Sequence, residues 1–202
     1  MLHHRKDSGS RTSLKSAFNS LNNSNLDKDK CNSSLSDIIF NCETIFVCVP
    51  TPMKKDGSCD TSIIESILGE VDLLVDNIEA KRTIIIKSTI PPGTTARFNN
   101  RYESLSIVFN PEFLTERNAV ADFENQDRII IGGPRPTTTE VKTIFSKVFP
   151  KAHIIKTDST HAEMVKYTTN TFLATKISFA NEIHQLCGKL NIDYDKVIEY
   201  AT

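Results

Sequence analysis

Glycine is scarce in this chain. Its 202 residues hold seven, Gly9, Gly57, Gly69, Gly93, Gly132, Gly133 and Gly188, and no arrangement of them gives GxGxxG or a Walker loop. The sequence therefore shows no glycine-rich cradle for a phosphate. Cysteine is nearly as thin. Cys31, Cys42, Cys48, Cys59 and Cys187 are odd in number and contain no CxxC pair. That argues against a zinc site, or any metal site, and against a disulfide framework, and for the reduced thiols of a cytoplasmic protein. No apolar run reaches the roughly 18 residues of a membrane span. The opening MLHHRKDSGSR has no apolar core behind its charges, unlike a secretory signal. Excess charge is missing too: Lys+Arg number 24 and Asp+Glu 25, for a net charge of -1. Nothing in that balance calls for nucleic acid or an anionic membrane as partner. What is present is a globular composition, 39% hydrophobic and 24% charged, long enough for one domain or for one domain plus part of another.

The chain reads in three stretches. Residues 1–36 hold nine Ser and five Asn, with apolar residues too sparse for a buried face, so a low-complexity lead-in is expected there. Residues 37–157 alternate between two patterns. Thr44–Val49, Thr83–Lys87, Ser106–Phe109, Arg128–Ile131 and His153–Ile155 read as short buried strands, several halted by proline or a Gly-Gly-Pro turn. Residues 61–76 place Ile63, Ile64, Ile67, Leu68, Val71, Leu74 and Val75 at helical spacing behind Asp60 as a candidate N-cap, and Val141–Val148 marks another helix. Strand alternating with helix predicts an α/β fold, a parallel sheet with helices on its faces. From residue 158 the pattern changes to one long helix, Thr160–Cys187, without Pro or Gly and with Gly188 as a candidate C-cap. Its second half is apolar nearly all round, so cover from a second domain or chain is expected.

In a parallel sheet, ligands bind beyond the carboxyl ends of the strands. Three segments fall there. Val49–Pro52 follows the first strand. Ser88 and Thr89 follow the second, where their hydroxyls suit a ribose, an amide or a water, or else simple turn chemistry before Pro91-Pro92. Asn110–Glu116 follows the third and carries Glu112 and Glu116 four residues apart, on one face if the segment is helical. Such a pair serves acid/base work or a solvated helix start. On the long helix Lys166 and Asn170 are again four apart, fit to steady an oxyanion, or else solvent-facing, with Glu163 able to pair with Lys166. His161 and His184 have no partner at metal spacing and receive no role.

Five motifs in order are more specific than any of these features alone. VPTP (Val49–Pro52), KSTIPPGT (Lys87–Thr94), NPEFLTE (Asn110–Glu116), DRIIIGG (Asp127–Gly133) and AEMVKYTTNTFLATKISFANEI (Ala162–Ile183) resemble the UDP-glucose/GDP-mannose dehydrogenase family. The wording is nearest to its UDP-glucose branch, and the resemblance runs from about Asp37 to Thr202. It implies the second half of a doubly wound, Rossmann-like NAD-binding sheet, followed by the start of a long central helix from residue 158. It implies NAD as cofactor, a sugar nucleotide such as UDP-glucose as substrate, and a homodimer built on the central helix. Val49, Pro50, Thr51, Pro52, Ser88 and Thr89 would border the NAD, with Glu116 helping to hold it. Glu112, Phe113, Leu114, Thr115 and Glu116 would line the substrate, together with Lys166 and Asn170. Glu112 would do the acid/base work, with Thr89, Lys166 and Asn170 also counted as catalytic. The family's glycine-rich turn and its catalytic cysteine in a glycine-rich loop have no counterpart in these residues, so the chain by itself is expected to be inactive.

Overall fold

A computed structural model describes residues 34–76, 81–115 and 117–201. Most of the expected lead-in, and the site residue Glu116, lie outside the described residues. The order is α1 (Leu35–Asn41), β1 (Thr44–Val47), α2 (Ser62–Val75), β2 (Arg82–Ile86), α3 (Thr94–Arg101), β3 (Leu105–Phe109), α4 (Ala119–Glu124), β4 (Arg128–Gly132), α5 (Arg135–Val148), β5 (His153–Thr157), α6 (Ser159–Leu190) and α7 (Tyr194–Ala201). All five expected strands are present, with ends shifted by a residue or two.

The strands form one sheet in the order β1-β2-β3-β4-β5. The first three are parallel to one another, as are β4 and β5. The expectation of a wholly parallel sheet fails at β3 and β4, which meet antiparallel at a single pair, Phe109 opposite Gly132. The connection explains this. Its only helix, α4, has six residues and rises about 9 Å, while a five-residue strand runs about 17 Å. Such a helix cannot carry the chain back to start another parallel strand.

Runs of isoleucine let β2 and β4 face apolar cover on both sides. Ile85, Val108, Ile129 and Ile131 pack with Phe123 and with Val141, Phe145 and Phe149 of α5 and its end. Alternation sends Ile84, Ile86, Ile107 and Phe109, all wholly buried, to the opposite face. Helices α2 and α3 are laced together by Tyr102, whose Oη donates to the Glu65 carbonyl at 3.2 Å, and by Arg97 and Arg101 on the Glu65 carboxylate. The N-cap of α2 is Thr61 rather than Asp60. Asp60 instead accepts from the Ser62 amide, closing the turn just ahead of it. Arg82 reaches back to the Ile39 carbonyl at 2.9 Å and pins α1.

The contacts divide the chain into two units, one ending at Met164 and one beginning at Val165. In the second, α6 runs through Gly188, which is not its C-cap. The helix ends at Asn191, whose φ of 53° is left-handed. The Ile192 amide reaches the Cys187 carbonyl and the Asn191 amide the Gly188 carbonyl. That is the Schellman closure, with asparagine in glycine's usual place. The apolar residues of this unit are largely uncovered within the chain, Phe172 among them at 65% exposure.

Candidate functional site at the carboxyl ends of β1, β2 and β3

Because β1, β2 and β3 are parallel, their carboxyl ends share one edge of the sheet. The ladder continues a step past each end, with the Lys87 amide on the Val47 carbonyl and the Asn110 amide on the Ile86 carbonyl, both 2.9 Å. This brings the segments starting at Cys48, Lys87 and Asn110 side by side.

Hydroxyls knit the first two segments. Ser88 Oγ accepts from the Val49 amide at 2.9 Å and donates to the Val49 carbonyl at 2.7 Å. Thr51 Oγ1 donates to the Thr89 carbonyl at 2.7 Å. Ser88 is thus a lace between strand ends, while Thr89 stays half-buried at the edge. Pro50 and Pro52 are exposed beside it and Val49 half-buried. Segment 110–115 is not helical, so Glu112 and Glu116 do not share a helix face. Glu112 is half-buried there, as are Phe113 and Leu114, while Thr115 is exposed. The Phe113 ring lies under the Arg128 guanidinium at 4.8 Å. Thr115 donates through its amide and hydroxyl to Asp122, which holds that carboxyl below its usual range.

Two buried polar groups at this edge were not singled out from sequence. Lys87 donates from Nζ to Asn110 Oδ1 at 2.8 Å, and Asn110 Nδ2 donates to the Ile130 carbonyl at 2.6 Å. This chain of bonds crosses from β2 through β3 to β4. The only signal in the sequence was a lysine ending an otherwise apolar strand. Beside it Cys48 is exposed, yet crowding by protein atoms pushes its thiol up. The Lys87 charge opposes that rise and the Glu112 charge adds to it.

Glu163 is the second such group. It is wholly buried. One carboxylate oxygen accepts from the Gly93 amide at 2.5 Å, and the other from the Thr95 amide at 2.8 Å and Thr95 Oγ1 at 2.6 Å. Its oxygens thus turn to another element. Burial pushes the carboxyl up, and the donors from Thr95 and Gly93 pull it back only in part. Next to it, Ala162 enters where Gly132 has no side chain. A Cβ on Gly132 would meet Ala162 Cβ at 2.4 Å and the Asp158 carbonyl at 2.9 Å.

Lys166 and Asn170 belong to the unit that begins at Val165. Lys166 is buried and Asn170 exposed. His161 pairs with Asp158 at the surface, and His184 sits edge-on to Tyr194. Among the described residues no His, Cys, Asp and Glu group could hold a metal ion. Cys42, Cys48, Cys59 and Cys187 are free, and no helix among the described residues is long and apolar enough to cross a membrane.

Residues 14–152 match the NAD binding domain of the UDP-glucose/GDP-mannose dehydrogenase family, and residues 160–202 match its central domain. The chain belongs to this family. A UDP-glucose 6-dehydrogenase of Rickettsia bellii is 36% identical over 173 residues, which are 81% of this chain and 38% of that protein. Among solved structures, a UDP-glucose dehydrogenase from Pyrobaculum islandicum superposes with a TM-score of 0.76 at 33% identity, over 84% of this chain and 41% of that one. A GDP-mannose dehydrogenase from Pseudomonas aeruginosa, solved as a ternary complex, gives 0.75 at 27% identity and the same coverage. The chain thus spans about two fifths of the length of these relatives. The fold is of the Rossmann dehydrogenase type, and the domain is one that binds NAD.

The edge described above fits one part of that cofactor. Val49, Thr51 and Thr89 present a half-buried, uncharged surface after parallel strands, suited to a nicotinamide and its ribose. It does not fit the pyrophosphate. The single glycine of these turns, Gly93, already gives its amide to Glu163.

Proposed function

We propose that this chain serves the NAD-dependent oxidation of the C6 alcohol of a sugar nucleotide, UDP-glucose, to a carboxylate. The observation that carries the reading is the shared edge. Half-buried Glu112 follows β3, where Val49–Pro52 and Ser88–Thr89 follow β1 and β2. The overall change is two two-electron oxidations. The first turns the alcohol into an aldehyde. The second takes up the oxygen of one water and yields the carboxylate. When bound, NAD supplies a hydride acceptor for each.

The assigned roles follow from chemistry. Glu112 takes the proton from the reacting hydroxyl or from water. Lys166 offsets charge growing on the oxygen, and Asn170 donates to it. Val49, Pro50, Thr51, Pro52, Ser88 and Thr89 border the cofactor, and Glu116 is assigned to help hold it. Thr89 is assigned a part in the chemistry as well, and Phe113, Leu114 and Thr115 are assigned to the sugar. UDP-glucose is preferred as substrate because the Rickettsia relative bears that name. We assign the chain to the cytoplasm from its unpaired thiols. The domain boundary is placed at 157/158, with a homodimer formed through α6.

The 202 residues alone do not complete the reaction, since they hold neither a GxGxxG turn nor a cysteine in a glycine-rich loop. Mixing the purified chain with NAD and UDP-glucose should give no steady NADH. Ligand-observed NMR should nevertheless detect contact with NAD and with UDP-glucose in preference to GDP-mannose. Steady NADH would refute the inactivity, and no contact with either ligand at millimolar concentration would refute the assigned site. Where these residues work within a complete dehydrogenase, Lys166→Ala should lower kcat about 100-fold with a smaller change in KM. A kcat within about threefold of the parent removes Lys166 from the chemistry.

The uncovered apolar side of α6 favours a second reading, a non-catalytic binding module. Saturable NAD contact would count against it.

A further inference from the structure

Helix α3 begins without a cap of its own. Its N-cap residue is Gly93, left-handed at φ 88°, with no side chain to offer. The Thr94 amide is satisfied by the Pro91 carbonyl at 3.1 Å. The Gly93 and Thr95 amides have their acceptor 70 and 68 residues away, in the Glu163 carboxylate. A helix N-terminus with free amides attracts an anion, and in nucleotide-binding folds that anion is often a phosphate. Here the place is filled by the protein's own carboxylate, wholly buried and held by three donors. The turn it closes is Ser88–Gly93, whose other end is laced to β1 by Ser88 and Thr51. The turn is therefore held at both ends, by hydroxyls at Val49 and Thr89 and by Glu163 at Gly93.

We infer that Glu163 is a positioning residue, an internal anion that sets the Ser88–Gly93 turn and through it the Thr89 edge of the cofactor site. The link to the cofactor rests on the site proposed above, while the hold on the turn does not. Glu163 is wholly buried, with both oxygens taken by Gly93 and Thr95. It acts through the backbone of the turn, and Ala162 seated at Gly132 fixes where its side chain starts.

The test is amide hydrogen exchange by NMR on the full chain, parent against Glu163→Ala. Loss of one such hydrogen bond should speed exchange at Gly93 and Thr95 by about tenfold each. Ser88 and Thr89 should show shifted amide resonances. A carboxylate-sized space is left, so sodium formate should restore both protection and shifts, and sodium chloride at equal ionic strength should not. A residue that only adds general stability would show neither the local pattern nor rescue by formate. Unchanged exchange at Gly93 and Thr95, or unmoved Ser88 and Thr89, overturns the inference. If Glu163→Ala does not fold, Glu163→Gln decides. The amide oxygen of glutamine can still accept from Thr95, but its NH2 cannot accept from Gly93. Gly93 should then exchange about tenfold faster while Thr95 keeps its protection, and equal protection at both overturns the inference. NADH affinity, measured in parallel, should fall about tenfold in Glu163→Ala and return with formate. Absence of NADH binding by the parent chain defeats the cofactor site and leaves the exchange result to judge the hold on the turn.

Discussion

Ile84, Ile85, Ile86, Ile107 and Phe109 of the sheet unit are wholly buried, whereas Phe172, Ile177 and Phe179 of the helical unit are 65%, 55% and 64% exposed. Both stretches are rich in apolar residues, so composition does not separate them. The sheet unit covers its strands with α2, α3 and α5 and meets its buried polar groups internally, as Lys87 with Asn110 and Glu163 with Thr95 show. The helical unit leaves most of its large apolar side chains exposed among the described residues. The same hydrophobic effect therefore acts as cohesion in one region and as a demand for a partner in the other.

Three variants sharpen that contrast. Gly132→Ala strikes the sheet unit where it has least room, because two of the three atoms a Cβ would meet are backbone. Overpacking of this kind should cost about 3 kcal/mol and lower Tm by roughly 10 °C. An unchanged melting curve would mean that the start of α6 yields freely. Lys87→Met removes the donor to Asn110 and leaves a buried carbonyl oxygen without it. The expected loss is about 1–2 kcal/mol by urea denaturation. No loss would show that the lysine's desolvation offsets its bond. Finally, replacing Phe172 and Phe179 together by serine should change stability least, within about 0.5 kcal/mol per site. Light scattering should nevertheless show self-association by the parent that the double variant lacks. A parent that stays monomeric over a wide concentration range ends the idea that α6 pairs with a second copy.

The strands were readable because isoleucine runs bounded by proline and glycine allow few other arrangements, as Thr83–Ile86 before KSTIPPGT illustrates. The reversal at β4 was not readable, since it depends on how short α4 is, and residues 119–124 carry no strong helical pattern. Gly188 misled because a glycine near a helix end is usually its stop. Here Asn191 takes the left-handed place three residues later. At the candidate site, the position of Ser88, Thr89 and Glu112 just after strands was legible. Glu163 was not, because its partners lie about 70 residues away and a nearer lysine offered the simpler pair. A local pattern predicts local partners, and a buried carboxylate with distant donors shows itself only when the fold is known.

The single backbone pair between β3 and β4 gives the sheet a mechanical seam. To one side, β1, β2 and β3 share ladders along their lengths, and to the other β4 and β5 do the same. Across the seam the backbone contributes Phe109 with Gly132, and the rest of the grip comes from side chains, Asn110 on the Ile130 carbonyl and the packing of Ile85 and Val108 against Ile129 and Ile131. Ladders resist shear through many bonds loaded at once, while a join of packed side chains yields by sliding. Under tension the sheet should part between β3 and β4, shedding β4, α5 and β5 as one piece.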